Sequence, residues 1–470
     1  MTLFLAVIEW YSWCYMDQTK TIGKDYNLWQ LAKFCIPAVL NELVINLLYT
    51  IDDGLFISRY VGPNALAAFS VLMPLFMIHN SPANLLGGVS ILASRKMGEG
   101  KSEEARGDFT AIVLLVLGIG VITGLAERIF LNPLLHLLGA TDIIFPYARD
   151  FAKIGALYVP LTLVSNIFMR FYVPAGKPKM ELLATILNVS TNIFFDWYFV
   201  VYKGVGMVGA GYANLIATVI MVTIGLLFFS SKNCEIRFAK PSKNIWKLAK
   251  ESCKYGISSF MSNASVAISS LVSNYALLHW GSEKYLAAFT IVNNITFVFM
   301  GCYFGLFGTV SPIISYAVGE KNIDKLNKTF KQTVILTTGL SVLMVISFLL
   351  FGDNVADLFI AESARDSTDI IHFGMSIAPY TFLFFGYNVG THILFAAVGN
   401  HRISAILTLL QEVVFSNITI VLLPILFGIK GVWFSFLLTN ILMMFVTVTA
   451  IYLNRDNYGY GPTKTALLIK

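Results

Sequence analysis

The chain has 470 residues, of which 56% are hydrophobic and only 13% charged, and its mean hydropathy is +0.71. So few charges cannot cover the surface of a water-soluble protein of this length, so the composition excludes a soluble fold and points to the lipid bilayer. The formal net charge of +6 fits the basic loops of a membrane protein and does not indicate a nucleic-acid partner.

Stretches of roughly 20 or more apolar residues mark membrane-crossing helices. Twelve are predicted, near 34–57, 65–97, 108–131, 143–168, 180–202, 207–230, 249–279, 285–317, 329–352, 369–397, 402–427 and 431–453. They divide the chain into an N-terminal segment (1–27), a first lobe of six helices (28–230), a linker (231–248), a second lobe of six (249–453) and a tail (454–470). Residues 2–15 are apolar but short, without a basic leader or small-residue cleavage site, and read as a poor signal peptide. They would lie at the membrane interface, or translation would start at Met16.

An ionisable side chain at the bilayer centre costs about 2.5–3.5 kcal/mol, so each one needs a reason. The first span carries Glu42, Asn46, Tyr49 and Asp53 at helical spacing, one polar stripe on an apolar helix. Glu42 would meet an incoming cation or reach to the nearer interface. The second span is predicted to bend at Pro74, Pro82 and Gly87-Gly88 and contains His79, which reads as a packing residue or a proton relay. The fifth span presents Asn188, Asn192 and Asp196 on one face, and the sixth opens with the small residues of Gly206–Ala213 before Asn214. If these faces converge, their oxygens form a hard-ligand pocket suited to Na⁺ or a proton, not to a soft metal. In the eleventh span Glu412 would attract a cationic substrate or pair with His392.

The second half repeats the first at an offset of about 220 residues. Ala65–Phe69 returns as Tyr285–Phe289, Val89–Phe109 as Val310–Phe330 and Gly206–Gly209 as Gly428–Gly431. Two homologous bundles are the usual frame of a transport path. Assigning alternate connections to one side collects 25 of the 33 Lys and Arg residues there, which puts both termini in the cytoplasm. The five cysteines lack metal-ligand or disulfide spacing and no phosphate-binding GxxxxGK[ST] loop occurs, so neither a metal centre, a bound cofactor nor ATP-driven chemistry is expected. The chain does not read as an enzyme.

Asp53–Gly62 followed by Ala65–Ala68, Ser94–Gly100 after the second span, and Asn192–Asp196 with Gly206-x-x-Gly209-Ala210 occur in order. Together they resemble the motifs of the multidrug and toxic compound extrusion (MATE) transporters over about residues 28–455. The resemblance implies an all-α membrane protein of twelve helices in two homologous six-helix bundles, V-shaped with a central cleft. It implies a bacterial, monomeric antiporter of the cytoplasmic membrane that expels organic cations and drugs in exchange for Na⁺ or H⁺. In the branch most similar to this chain the ion sits in the N-terminal lobe, at positions matching Asp53, Asn192 and Asp196, with Asn214 where the family often has Thr. Phe151 stands where some members contribute a Tyr. Members with an ion site in the second lobe carry acids where this chain has Ser262-Asn263 and Tyr387-Asn388. A flippase for a lipid-linked precursor would use the same superfamily frame but a basic cleft, and the first-span stripe carries no Lys or Arg. A channel would show a filter or charged ring, and neither is found.

Overall fold

The computed structural model describes residues 22–232, 234–280, 283–359 and 368–455, with backbone alone at 47–55, 58, 63 and at scattered positions within 263–287 and 353–359. Expectations for residues 1–21 and for the tail beyond 455 lie outside the described residues. Every regular element among the described residues is helical, and nine stretches among them are long and apolar enough to cross a membrane.

Helix α1 (Leu28–Phe56) runs into one π-helical turn, Ile57–Val61, closed by Gly62 at φ 116°. α2 (Pro63–Leu86) starts on a proline, whose missing N–H falls where a helix start has no partner for it. The second predicted span stays one membrane-length stretch: Gly87 and Gly88, both at helical φ/ψ (−60°, −18° and −57°, −15°), join α2 to α3 (Val89–Gly98) through a single turn. Close packing demands those glycines, because a Cβ on Gly88 would lie 2.4 Å from the Ser252 carbonyl oxygen and one on Gly87 2.4 Å from Arg170 Cδ.

α4 (Ser102–Leu137) begins with Glu103 and Glu104, favourable at the positive end of the helix dipole. It leaves helical geometry at Phe130, just before Pro133, whose ring and missing N–H break the local ladder. α5 (Phe145–Tyr172) packs on α4 at glycines: a Cβ on Gly120 would sit 2.5 Å from Pro160 Cα, and one on Gly124 2.4 Å from the Ala156 oxygen. α6 (Pro178–Asp196) continues as a π-helical turn, Trp197–Tyr202, before α7 (Met207–Phe229). Phe109 gathers Phe168, Phe171, Phe229 and Phe238 at ring distances of 4.7–6.1 Å. A second core joins Ile57, Ala65, Leu72, Leu135, Phe151 and Met207.

The stretch after α7 is strapped to the start of α4. Ser242 N donates to the Gly107 oxygen (3.1 Å), Ala239 N to Thr110 Oγ1 (3.0 Å) and Arg106 Nε to the Glu235 oxygen (2.8 Å). The buried Asp108 carboxylate accepts from both Ser242 and Lys96, the latter at 2.6 Å. Burial in this strap pushes the Cys234 thiol up to about 12.

Then follow α8 (Ile245–Trp280), α9 (Glu283–Gly319), α10 (Ile323–Phe359), α11 (Thr368–Ala397) and α12 (His401–Leu409). A π-helical turn at Leu410–Phe415 leads into α13 (Ser416–Phe427), and a 3₁₀ turn, Gly428–Lys430, into α14 (Gly431–Asn454). α11 is central to these: Gly386 and Gly390 leave room for the rings of Tyr303 and Phe307, which would meet a Cβ at 2.3 and 2.1 Å. Asn388 Nδ2 donates to the Asn440 oxygen (2.9 Å) and Asn388 Oδ1 accepts from Thr447 (3.0 Å).

The chain divides into two compact units, the first holding Val44–Gly256 and the second Asp25–Leu43 with Ile257–Lys470. The divisions fall inside α1 and α8, not in the linker. Within the second unit Gly305 lies against α1, where a Cβ would be 2.5 Å from the Ala38 oxygen and 2.7 Å from Val39 Cα. Within the first, Gly256 lies against α2, where a Cβ would be 2.0 Å from the Leu85 oxygen and 2.9 Å from that of Asn84. Aligned by the repeat, Val39 matches Gly256 and Asn84 matches Gly305, so one helix contact occurs twice with the glycine on opposite partners. The helix ends repeat too. Gly176 and Gly399 are left-handed at φ 76° and 93°, and Gly206 and Gly428 at 67° and 63°. Gly100 (78°) is matched by Lys321 (56°), a conformation glycine adopts without strain and lysine does not.

Candidate functional site

The sequence stripe on α6 becomes a buried edge. Asp196, the last α-helical residue, has no exposed surface; Asn192, one turn earlier, is buried, and Asn188 is half-buried. α6 can bring Asp196 this deep because α7 comes close. Gly209 on α7 meets the π-helical turn after Asp196, where a Cβ would be 2.9 Å from that of Phe199, and Gly211 leaves room for Ile154. Asn214, one turn further along α7, donates from Nδ2 to the Ala210 oxygen at 3.2 Å.

The side chains of Asp53 and Tyr49 lie outside the described residues. The backbone that follows Asp53 is described: the turn Ile57–Val61 packs against the turn Trp197–Tyr202 that follows Asp196, and Ile57 and Val200 share one core. The ends of α1 and α6 are thus neighbours in the first unit. Glu42 and Asn46 are half-buried, with Glu42 in the second unit and Asn46 in the first. Phe151 is core, its ring edge-on to Phe69 at 5.6 Å.

Two residues behave differently from their sequence reading. His79 has a partner that the spacing of polar residues did not reveal: its Nε2 lies 3.0 Å from Oε2 of Glu127 on α4, with the histidine side chain 11% exposed and the glutamate 3%. Glu127 lies on α4, which runs on past the predicted span to Leu137. Glu412 and His392 do not pair. Both ring nitrogens of the buried His392 lack a hydrogen-bond partner, and Glu412 sits on the π-helical turn of the second unit with its backbone oxygen accepting from Ser269 (3.0 Å).

Among the described residues no group of three or more His, Cys, Asp or Glu side chains could hold a metal ion. Carboxylate and amide oxygens dominate the α6 edge, a donor set for a hard monovalent cation or a proton.

A family model, MatE, matches residues 37–198 and 258–425, one copy in each half. The multidrug export protein MepA of Staphylococcus aureus (strain MRSA252) is 23% identical over 431 residues, covering 90% of this chain and 93% of the relative. The MepA of Staphylococcus haemolyticus is 24% identical over 436 residues with the same coverage. Among solved structures, a crystal structure of a MATE protein in complex with MaL6 superposes with a TM-score of 0.87 at 23% identity, over 94% of this chain and all of that one. With its two matched halves, its all-helical membrane fold and its buried α6 acid, the chain belongs to the MatE family and is a multi-pass membrane transporter of the MATE multidrug-efflux class, not an enzyme.

Proposed function

We propose that this chain exports organic cations and drugs across a bacterial cytoplasmic membrane by alternating access, driven by inward flow of Na⁺ or H⁺. Twelve spans in two homologous bundles, with both termini cytoplasmic, form the frame of this reading. The observation that carries it is Asp196, an acid with no exposed surface at the end of an apolar membrane helix. The expense of keeping a carboxylate there is out of proportion to a packing role. Asn192 lies one turn before it on α6, and the turn that follows Asp53 packs against the turn that follows Asp196, which supports this reading. In this reading Asp53, Asn192, Asp196 and Asn214 hold the coupling ion. Occupancy neutralises the acids and weakens cation binding; the empty site restores it, and that difference in affinity between two states drives exchange. The test is uptake of a fluorescent cation into everted membrane vesicles, driven separately by interior acid and by interior Na⁺. Uptake under one gradient, lost in Asp53→Asn and Asp196→Asn at normal membrane levels, is the expected result. Wild-type uptake by either variant would defeat the assignment.

A further inference from the structure

The pair formed by His79 and Glu127 has no part in the site just described. It sits where α2, α4 and α5 pack in the first unit, on different helices from the acids of α1 and α6. Glu127 Oε2 lies at ion-pair distance from His79 Nε2, although not aligned as a hydrogen bond, and Oε1 has no hydrogen-bond partner at all. A structural ion pair buried this deeply would be expected to have its remaining lone pairs satisfied. Here half of a buried carboxylate is not.

The charge of the pair depends on its protons. With one proton the pair is net neutral, either as imidazolium beside carboxylate or as neutral imidazole beside carboxylic acid. With none it holds a bare carboxylate, and with two an imidazolium beside a neutral acid, which leaves a net positive charge.

The elements packed around the pair carry charged residues of their own. Arg59, Arg128, Arg149 and Asp150 are exposed; Lys153 is half-buried, with its backbone oxygen accepting from Arg128; and Arg170 donates to Asn84. No described ion pair joins any of them to His79 or Glu127. From His79 towards Gly87, the pairs Asn80–Asn166 (2.8 Å) and Asn84–Arg170 (2.7 Å) add polar contacts between α2 and α5.

We infer that His79 and Glu127 form a second proton-binding site of the first unit, which takes up a proton from water on one side of the membrane and releases it to water on the other during the transport cycle. Only N–H and O–H bonds form and break, and the free ligand is the hydrated proton. The inference rests on the reading of the chain as a cation-coupled exporter. Its test begins with a measurement that needs no transport: infrared difference spectra of the purified protein in lipid nanodiscs, stepped between about pH 8 and pH 5. A component of the carboxylic-acid C=O band that grows on acidification is expected in the wild type, still present in Asp196→Asn, shifted in His79→Gln and missing in Glu127→Gln. In proteoliposomes, uptake of the fluorescent cation driven by a pH gradient is expected to be lost in both pair variants. A difference spectrum that Glu127→Gln leaves unaltered overturns the site, and undiminished pH-driven uptake in both variants overturns its part in coupling. Should Glu127→Gln fail to reach the membrane, His79→Gln alone is read in the same two ways. A wild type that shows the Glu127 band but transports under no gradient would sink the exporter reading while leaving the proton site standing.

Discussion

Asp196 in the first unit and Thr419 in the second each stand 20 residues beyond a left-handed, helix-ending glycine, Gly176 and Gly399. Asp196 is a wholly buried acid. Thr419 is as deeply buried but neutral: its hydroxyl donates to the Phe415 oxygen (2.9 Å) and shares a hydrogen bond with Thr439 (2.7 Å), while its carbonyl accepts from Ser435 (3.3 Å). Sixteen residues beyond the same glycines the buried amide of Asn192 faces its counterpart Phe415. Duplication has thus kept the helix ends and glycine contacts of the scaffold and kept the charge in one copy only. A site that must bind and release an ion needs a group whose charge can be neutralised, whereas a hydroxyl ladder only holds helices together.

The largest test of that contrast is to remove the charge. Asp196→Asn should abolish cation uptake in everted vesicles with the protein still present at wild-type level, and Thr419→Val, which removes a packing hydroxyl, should leave uptake largely intact. The reverse exchange, Thr419→Asp, would bury an acid in a hydroxyl network with no partner for it. It should lower stability by about 2.5–3.5 kcal/mol, read as a fall in thermal unfolding temperature in detergent and poor membrane accumulation.

The repeated helix contact can be stressed in each unit. Gly256→Val and Gly305→Val both drive a side chain into backbone and should each cost about 1–3 kcal/mol; unequal costs, measured by thermal unfolding, would show that the two units tolerate strain differently. The strap on α4 offers a milder comparison with the segment before α1. Asp108 is buried, whereas the Lys328–Asp25 pair (2.7 Å), which ties that segment to α10, is largely exposed. Asp108→Asn should loosen the strap enough for maleimide to label Cys234 in a background lacking the other cysteines, and Lys328→Ala should change stability by no more than about 1 kcal/mol. The smallest effect is expected at Lys321. Relieving its left-handed backbone with Lys321→Gly should raise stability by about 1 kcal/mol or less, since glycine's own chain entropy offsets part of the gain.

Much of this was legible in the residues. Apolar runs located the membrane helices, because in lipid each must satisfy its own backbone hydrogen bonds and so leaves a long, local signature. The bend at Gly87-Gly88 was legible, whereas the Ser252 and Arg170 atoms that press on those glycines were not. That Asn192 and Asp196 share one face followed from their spacing on α6, which period alone determines; that the face is buried did not. The partner of His79 did not follow, and neither did the missing pair between Glu412 and His392, because each depends on which face of one helix meets which face of another.

By itself the sequence determined the solvent, the twofold repeat, the family and the single acidic face of α6, all of which are encoded in composition or in spacing along one helix. Only the tertiary structure decided that the first turns of α1 and α8 belong to the unit formed by the opposite half. It also decided that His79 meets Glu127 and that Thr419 is held by Thr439. Those outcomes depend on helix neighbours far apart in the chain, and close packing at glycines such as Gly256 and Gly305 selects among arrangements that hydrophobic pattern alone leaves equivalent.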